Sequence, residues 1–265
     1  MKRISSAKNP HIKHLKGLQE KSRLRSQTKT FSVEGEKEIR FAQEGGYVIR
    51  ELFFKEDQLE YFSSWVEKHE ANAHCFAIEE DVFESLCYRS NTSKVIAVVE
   101  QKSGALEDLV IKEDPFFLVA ESPEKPGNIG ALLRTADAVG ADALIIVDPK
   151  TDLYNPNVVR SSVGCIFSVQ WVGCARQDFF AFLSKHNIKL VSAALTADAV
   201  EYTQLDYTGP LAIAVGTEDK GLSEDWLSQP STQAFIPMMG KNDSLNVSVA
   251  AGILMYEAQR QRKLS

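Results

Sequence analysis

Residues 116–147 read FFLVAESPEKPGNIGALLRTADAVGADALIIV, and they carry the clearest structural signal in the chain. The run FFLVA at 116–120 is apolar throughout, as in a strand that is buried on both faces of a sheet. Proline and glycine at 126 and 127 mark a turn, residues 128–139 have the composition of a helix, and ALIIV at 143–147 is a second buried strand. Two such strands joined by a helix predict a parallel β-α-β unit, and therefore an α/β fold.

The same alternation extends through the rest of the chain. After this unit we predict strands at 167–172, 189–194, 211–216 and 233–236, and helices at 176–187 and 244–261. Before it we predict a helical arm at 4–27, strands at 30–34, 48–54, 74–78 and 95–100, and helices at 35–44, 58–69 and 80–86. The polar segment QKSGALEDLVIKED at 101–114 lacks periodicity and reads as a linker. We therefore expect a small α/β domain at 1–103 and a larger one at 114–265.

The charge of the chain is unevenly distributed. The net charge is −6, which by itself argues against a nucleic-acid partner. Residues 1–30, however, contain nine Lys or Arg and one Glu, so a basic segment precedes an acidic body. Lys13, Lys16, Arg23 and Arg25 in this segment are candidate phosphate contacts, although a solvated amphipathic face would have the same pattern.

Composition also indicates the compartment in which the protein works. No apolar run reaches the ~18–20 residues that span a bilayer, and the basic start lacks the apolar core of a secretion signal. The four cysteines form no C-x-x-C pair, and the five histidines have no matching ligand partners. We expect a cytoplasmic protein without a metal and without a membrane anchor.

Three motifs carry polar residues at the predicted sheet edge. The first, P-G-N-I-G-A-L-L-R at 126–134, contains Asn128 and Arg134. The second, G-T-E-D-K-G at 216–221, follows an apolar strand and offers Glu218. The third, I-P-M-M-G-K-N-D-S-L-N-V-S at 236–248, places Ser244 and Asn246 near the start of the last helix, where Asp243 or Ser244 would cap it. Taken singly, each motif is explained by a turn, a cap or a surface ion pair.

One alternative for the first motif is a dinucleotide site. The G-x-G-x-x-G template ending at Gly130 has Lys125 in place of its first glycine, while Asp148 stands at about the offset of a ribose-binding acid. This weak match keeps a nicotinamide-dependent oxidoreductase open. A non-catalytic RNA-binding protein is a second alternative.

Taken together, in order and at their spacing, the three motifs closely resemble those of the SpoU/TrmH branch of the SPOUT RNA methyltransferases. The resemblance covers most of residues 116–260, and the basic segment with F-S-V-E-G at 31–35 is similar to the small substrate-binding domain of that family. It implies an N-terminal L30e-like α/β domain followed by a SPOUT α/β domain with a C-terminal trefoil knot. It also implies methyl transfer from S-adenosylmethionine to a ribose 2′-hydroxyl of rRNA or tRNA, by a homodimer.

The resemblance further implies the roles of individual residues. It assigns catalysis and orientation of the reactants to Asn128, Arg134, Glu218, Ser244 and Asn246. It assigns cofactor contacts, mainly through the backbone, to Leu195, Gly216, Ile236 and Leu245. Some members of the wider superfamily methylate a base nitrogen, but the motifs favour ribose. Because a guanidinium stays protonated, we expect Arg134 to bind phosphate and to stabilise developing negative charge rather than to act as a simple base.

Overall fold

The computed structural model describes residues 1–69, 71–88, 93–102 and 104–263. The chain forms two compact units. Unit 1 combines Met1–Lys102 with Tyr154–Ser168, and unit 2 combines Ser103–Leu153 with Val169–Ser265. The short segment 154–168, which the sequence analysis assigned to the second domain, therefore groups by contact with the first unit.

Unit 1 is a mixed sheet with helices packed on it. Its strands, as far as the described residues show, are β1 (Lys2–Ile4), β2 (Thr30–Glu34), β3 (Ile49–Lys55), β4 (His74–Ile78) and β5 (Val95–Glu100). Its helices are α1 (Pro10–Glu20), α2 (Ser22–Thr28), α3 (Glu36–Glu44), α4 (Ser63–His69), α5 (Glu80–Glu84), α7 (Pro156–Ser161) and α8 (Cys165–Ser168). The sheet order is β1-β4-β3-β5-β2, with β5 antiparallel to both neighbours and the other pairs parallel.

The basic N-terminal segment is part of the unit 1 core rather than a separate arm. Ile12, Leu15 and Leu18 on α1 are buried in one apolar cluster with residues of the sheet. Spacings of three residues put these side chains on one face of the helix. Ile4 joins the same cluster from strand β1, so the helix expected from residue 4 begins only at Pro10.

Unit 2 is a parallel sheet covered by helices. Its strands within the described residues are β6 (Phe116–Glu121), β7 (Ala143–Val147), β8 (Gln170–Cys174), β9 (Lys189–Ala193), β10 (Val200–Glu201), β11 (Leu211–Val215) and β12 (Thr232–Phe235). Its helices are α6 (Pro126–Val139), α9 (Arg176–Lys185), α10 (Glu224–Leu227) and α11 (Val247–Arg262). The order is β10-β12-β9-β11-β6-β7-β8, and every pair is parallel.

The central strands of unit 2 confirm the predicted burial. Every residue of β6, β7 and β11 is buried, as expected for strands with helices on both sides. On one side, α11 packs against α6 and β11. The α/β class and the parallel sheet are therefore as predicted.

Several predicted boundaries are wrong. The strand expected at 167–172 begins at Gln170, and the segment before it forms the short helix α8. The helix expected at 58–69 is a 3₁₀ turn at Glu56–Gln58 followed by α4. The last helix begins after Asn246, which is its N-cap, so neither Asp243 nor Ser244 caps it. Boundaries shift because short caps and turns depend on tertiary contacts as well as on local propensity.

Candidate active site

The candidate site lies where the strand order of unit 2 reverses. From β6 the chain proceeds outward through β7 and β8, and then returns to the other side of β6 to form β9 and β11. Parallel sheets bind ligands beyond the carboxyl ends of their strands at such a reversal. The segments that follow β6, β9, β11 and β12, including helix α6, carry all the residues that the sequence assigned to catalysis or to the cofactor.

A cavity of about 420 Å³ opens among three of these segments. All four residues expected to contact a cofactor, Leu195, Gly216, Ile236 and Leu245, line it. Ala194, Met238 and Val247 add apolar surface to its walls. A largely apolar cavity of this size that also contains backbone groups and a few polar side chains is typical of a small-molecule site.

Gly216 is required by the close approach of the chain to itself. A Cβ atom at this position would lie 1.9 Å from the carbonyl carbon of Gly221. Thr217 and Gly221 exchange backbone hydrogen bonds of 2.9 and 3.1 Å, which close the turn after β11. Any larger residue would force the turn open, and this turn is one wall of the cavity.

Asn128, Glu218 and Asn246 form one hydrogen-bonded network. The side-chain amide of Asn128 donates to Glu218, and the Asn246 amide donates to Oδ1 of Asn128 over 3.3 Å. Oδ1 of Asn246 in turn accepts from the backbone N–H of Ser248 at 3.0 Å, which caps α11. These hydrogen bonds thus connect one residue from each of the three motifs. Two of these residues lie 118 positions apart in the sequence.

The structure does not bring the other two predicted catalytic residues into this network. Ser244 lines the cavity beside Leu245 but forms no hydrogen bond with any described residue. Arg134 is exposed on α6 and forms no hydrogen bond or ion pair within the described part of the chain. It follows Asn128 by six residues, which places it roughly 120° around the helix.

A second polar network beside the site was not predicted. The buried carboxylate of Glu121, at the end of β6, accepts hydrogen bonds from the backbone and the hydroxyl of Ser223 at 2.8 and 2.6 Å. Arg176 pairs with Glu121 at 3.0 Å and with Asp148 at 3.3 Å. The one available sequence signal was a glutamate that ends an otherwise apolar strand, because a buried charge requires a partner.

This second network includes the acid on which the dinucleotide alternative depends. Asp148, the candidate ribose-binding acid, accepts from the backbone N–H of Arg176 at 3.1 Å in addition to its ion pair. Its two carboxylate oxygens therefore already have protein partners. The nearby thiol of Cys174 is held protonated, because burial raises its pKa to about 12.

Three of the four predicted RNA contacts lie on the surface of unit 1. Lys13, Lys16 and Arg23 are exposed. Arg25 is only 2% exposed, and its guanidinium donates to the backbone carbonyl of Leu18 at 2.5 Å. Arg25 thus joins α2 to α1 and does not present its charge to a phosphate, which corrects its assignment.

Two further properties concern the described residues only. They contain no group of three or more His, Cys, Asp or Glu side chains that could hold a metal ion. None of the helices in these parts of the chain is both long enough and apolar enough to cross a membrane.

Comparison with known proteins assigns the family. Residues 115–256 match the model of the SpoU rRNA Methylase family, and residues 9–97 match the MRM3-like substrate binding domain. Over 97% of this chain and 98% of the relative, the sequence is 29% identical to the 23S rRNA (guanosine(2553)-2′-O)-methyltransferase RlmP of Bacillus subtilis. It is 30% identical to the 23S rRNA (uridine(2479)-2′-O)-methyltransferase of Streptomyces viridochromogenes, over 98% and 93% of the two chains.

A solved structure agrees with these sequence matches. An AdoMet-bound rRNA methyltransferase from Sinorhizobium meliloti superposes with a TM-score of 0.89 at 30% identity, over 97% of each chain. None of these matches supports an oxidoreductase. With the three motifs brought to one sheet edge and both regions of the sequence matched, the chain belongs to the SpoU rRNA methylase family.

Proposed function

We propose that this protein transfers a methyl group from S-adenosylmethionine to a ribose 2′-hydroxyl of rRNA or tRNA. One observation carries the proposal: Asn128, Glu218 and Asn246 form one hydrogen-bonded network, and Glu218 also lines the unit 2 cavity. The named functions of the relatives and the AdoMet-bound neighbour support the same chemistry.

The residues present fit the proposed cofactor. Leu195, Ile236 and Leu245 give the cavity apolar walls for an adenine ring, and the turn at Gly216 exposes backbone groups beside them. Glu218 places a carboxylate at the same cavity, where a positively charged ligand is favoured. S-adenosylmethionine would supply a methyl group activated by its sulfonium.

The protein's contribution to the reaction is positioning and charge. Alignment of the reacting groups contributes up to ~7–11 kcal/mol of barrier reduction in well-oriented systems. We assign this alignment to the Asn128–Glu218–Asn246 network together with Ser244. We assign to Arg134 the binding of an RNA phosphate and the stabilisation of negative charge on the ribose oxygen.

We further propose that the active form is a homodimer that pairs through α11. Val249 and Tyr256 are exposed apolar residues on this helix, and the partly exposed Ile253 lies between them on the same face. Since α6 packs against α11, pairing through this face would bring Arg134 close to the second copy. That the Arg134 side chain has no partner among the described residues is consistent with this position.

The remaining parts of the proposal concern fold and substrate. We propose that the segment after β11 forms the trefoil knot of the family and that unit 1 is an L30e-like RNA-binding domain. The exposed Lys13, Lys16 and Arg23 support the second of these. An enzyme acting on rRNA or tRNA would work in the cytoplasm.

The test combines cofactor binding with mapping of the product. Calorimetry with the full chain should show S-adenosylhomocysteine binding that is lost in Ile236→Glu and kept in Val110→Glu, an exposed control outside the cavity. RNA from cells with and without the gene should then differ at one alkali-resistant 2′-O-methylated position. Absence of cofactor binding, or identical methylation maps, would refute the proposal.

A further inference from the structure

Unit 1 contains a cavity of about 650 Å³ that the proposed transfer chemistry does not use. It is lined by residues of α1, β2 and α7 and by the segment that follows α5. Its volume lies within the range of 300–1,000 Å³ that is common for ligand sites. Every residue that lines it belongs to the unit that carries the basic surface.

One wall of this cavity is an aromatic ring stacked against a cation. The guanidinium of Arg160 lies 3.6 Å from the centre of the Tyr88 ring. A hydrogen bond of 2.9 Å from Nη2 to Asn157 holds Arg160 in this position. Tyr88 is nevertheless 64% exposed, so much of the ring remains open to another flat group. Nucleobases stack on aromatic and guanidinium planes of this kind.

Hydrogen-bond acceptors lie beside Tyr88 in the same lining. Glu34 accepts from the backbone N–H of Tyr88 at 3.0 Å and forms no ion pair within the described part of the chain. A carboxylate has about four acceptor positions, so most of its capacity remains unused. Ser32 is 6% exposed, lines the same cavity and adds a hydroxyl to this acceptor set.

The lining carries charges of both signs, with Lys16 and Arg160 beside Glu20, Glu34 and Glu38. Lys16, which the sequence analysis already named as an RNA contact, lines the cavity and forms no ion pair with any described residue. Arg160 is the second cation of the lining. A stacked aromatic ring, a carboxylate acceptor and two cations in one lining are features by which proteins bind single-stranded RNA.

We propose that this cavity binds one unpaired guanosine of the RNA substrate. The base stacks on Tyr88 while its adjacent N1–H and N2–H donors face the carboxylate of Glu34, and Lys16 and Arg160 contact the flanking phosphates. Guanine is favoured because two neighbouring donors match two carboxylate oxygens, whereas uracil presents one donor between two carbonyl oxygens. The inference rests on the proposed function only in taking RNA as the substrate.

The test measures binding of two labelled heptaribonucleotides, UUUGUUU and UUUUUUU, to the full chain by fluorescence anisotropy. The guanosine oligomer should bind at least fivefold more tightly. Tyr88→Ala should weaken that binding at least fivefold, and Glu34→Gln should remove the preference for the guanosine oligomer. Tyr61→Ala is the matched control, because Tyr61 is 61% exposed on the same unit and lies outside the cavity. Equal affinity for both oligomers, or equal effects of Tyr88→Ala and Tyr61→Ala, would overturn the inference.

The same protein preparations distinguish this inference from the proposed function. Cofactor affinity should be unchanged in Tyr88→Ala, since that residue does not line the unit 2 cavity. If guanosine is preferred but no cofactor binds, the methyltransferase proposal fails and the guanosine site stands. If RNA is methylated but Tyr88→Ala behaves as Tyr61→Ala does, the guanosine site fails and the methyltransferase proposal stands.

Discussion

Asn246 has two roles, and one substitution can separate them. Its Oδ1 caps α11, and its amide donates to Asn128. Aspartate caps helices about as well as asparagine does, but it has no amide donor. Asn246→Asp should therefore keep the free energy of unfolding within about 0.5 kcal/mol of wild type while turnover falls at least tenfold. Denaturant titration and single-turnover methyl transfer would measure the two quantities.

The control for this substitution is another asparagine cap. Asn9 caps α1 through a hydrogen bond of 2.9 Å from His11 and lies in unit 1. Asn9→Asp should leave both stability and turnover unchanged. Normal turnover in Asn246→Asp would mean that this residue acts only as a cap.

Substitution of Arg134 tests the role of its positive charge in turnover without lowering the free energy of unfolding. Because it is exposed and unpaired among the described residues, Arg134→Ala should change stability by no more than about 0.5 kcal/mol. Cofactor affinity should be retained while turnover falls at least a hundredfold. Lys185→Ala on α9 is an exposed control. If Arg134→Ala turns over at near the wild-type rate, the assignment is refuted.

The buried hydroxyl of Tyr207 affects the stability of the folded protein at high pH. The residue is fully buried, and its hydroxyl has no hydrogen-bond partner among the described residues. Burial raises the pKa of Tyr207, because the phenolate is disfavoured in the core. Below the unfolded-state pKa of about 10, both states keep the phenol protonated and the free energy of unfolding does not depend on this group. Above that pH the unfolded chain ionises first, so the free energy of unfolding falls.

Tyr207→Phe should consequently increase the free energy of unfolding by about 1 kcal/mol at pH 7, since it removes an unpaired buried group. The free energy of unfolding of this variant should also fall less steeply above pH 10. Urea titrations at pH 7 and pH 10.5 would measure both effects, with Tyr88→Phe as an exposed control. A destabilised Tyr207→Phe protein would show that the hydroxyl has a stabilising partner.

At the scale of the element, α11 connects the site to the proposed dimer. Its first residues line the unit 2 cavity, and its outer face exposes Val249 and Tyr256. Two carboxylates on that face would have to be buried in a dimer contact, at a cost of several kcal/mol. The double variant Val249→Asp, Tyr256→Asp should therefore sediment as a monomer where the wild type sediments as a dimer.

The control for α11 replaces an exposed apolar residue elsewhere. Val110 is exposed in unit 2 and does not belong to this helix. Val110→Asp should leave the sedimentation coefficient unchanged. If the double variant on α11 sediments as the wild type does, the dimer does not form through this face.

At the scale of the whole molecule, the uneven charge predicts how RNA binding depends on salt. The net charge of −6 is compatible with RNA binding because Lys13, Lys16 and Arg23 are exposed together on unit 1. Each cation that contacts a phosphate adds about 0.7–0.9 to the slope of log affinity against log salt. The triple charge reversal Lys13→Glu, Lys16→Glu, Arg23→Glu should therefore reduce that slope by about 2.

Arg25 is omitted from this test because its burial would make any substitution destabilising. A control triple, Lys68→Glu, Lys185→Glu, Lys263→Glu, changes the net charge equally at other exposed positions. It should lower affinity slightly and keep most of the slope. Equal slopes for the two triples would mean that the N-terminal surface has no special role.

The placement of the three motifs at one edge of the unit 2 sheet was predictable because its signal is local. Each motif follows a strand, and the carboxyl ends of parallel strands meet at one sheet edge. The hydrogen bonds that Asn128 donates to Glu218 and that Asn246 donates to Asn128 were not predictable, since they depend on how three distant segments approach one another. The ion pairs of Arg176 were missed for the same reason.

The amino-acid sequence by itself determined the alternation of strands and helices, the burial of FFLVA, ALIIV and LAIAV, and the order of the three motifs, because each depends on residues that are close in the chain. Only the tertiary structure decided that Arg25 is buried, that 154–168 belongs with unit 1, and that Arg160 stacks on the ring of Tyr88. These features join residues tens of positions apart. Their energies come from packing and desolvation, which no local pattern records.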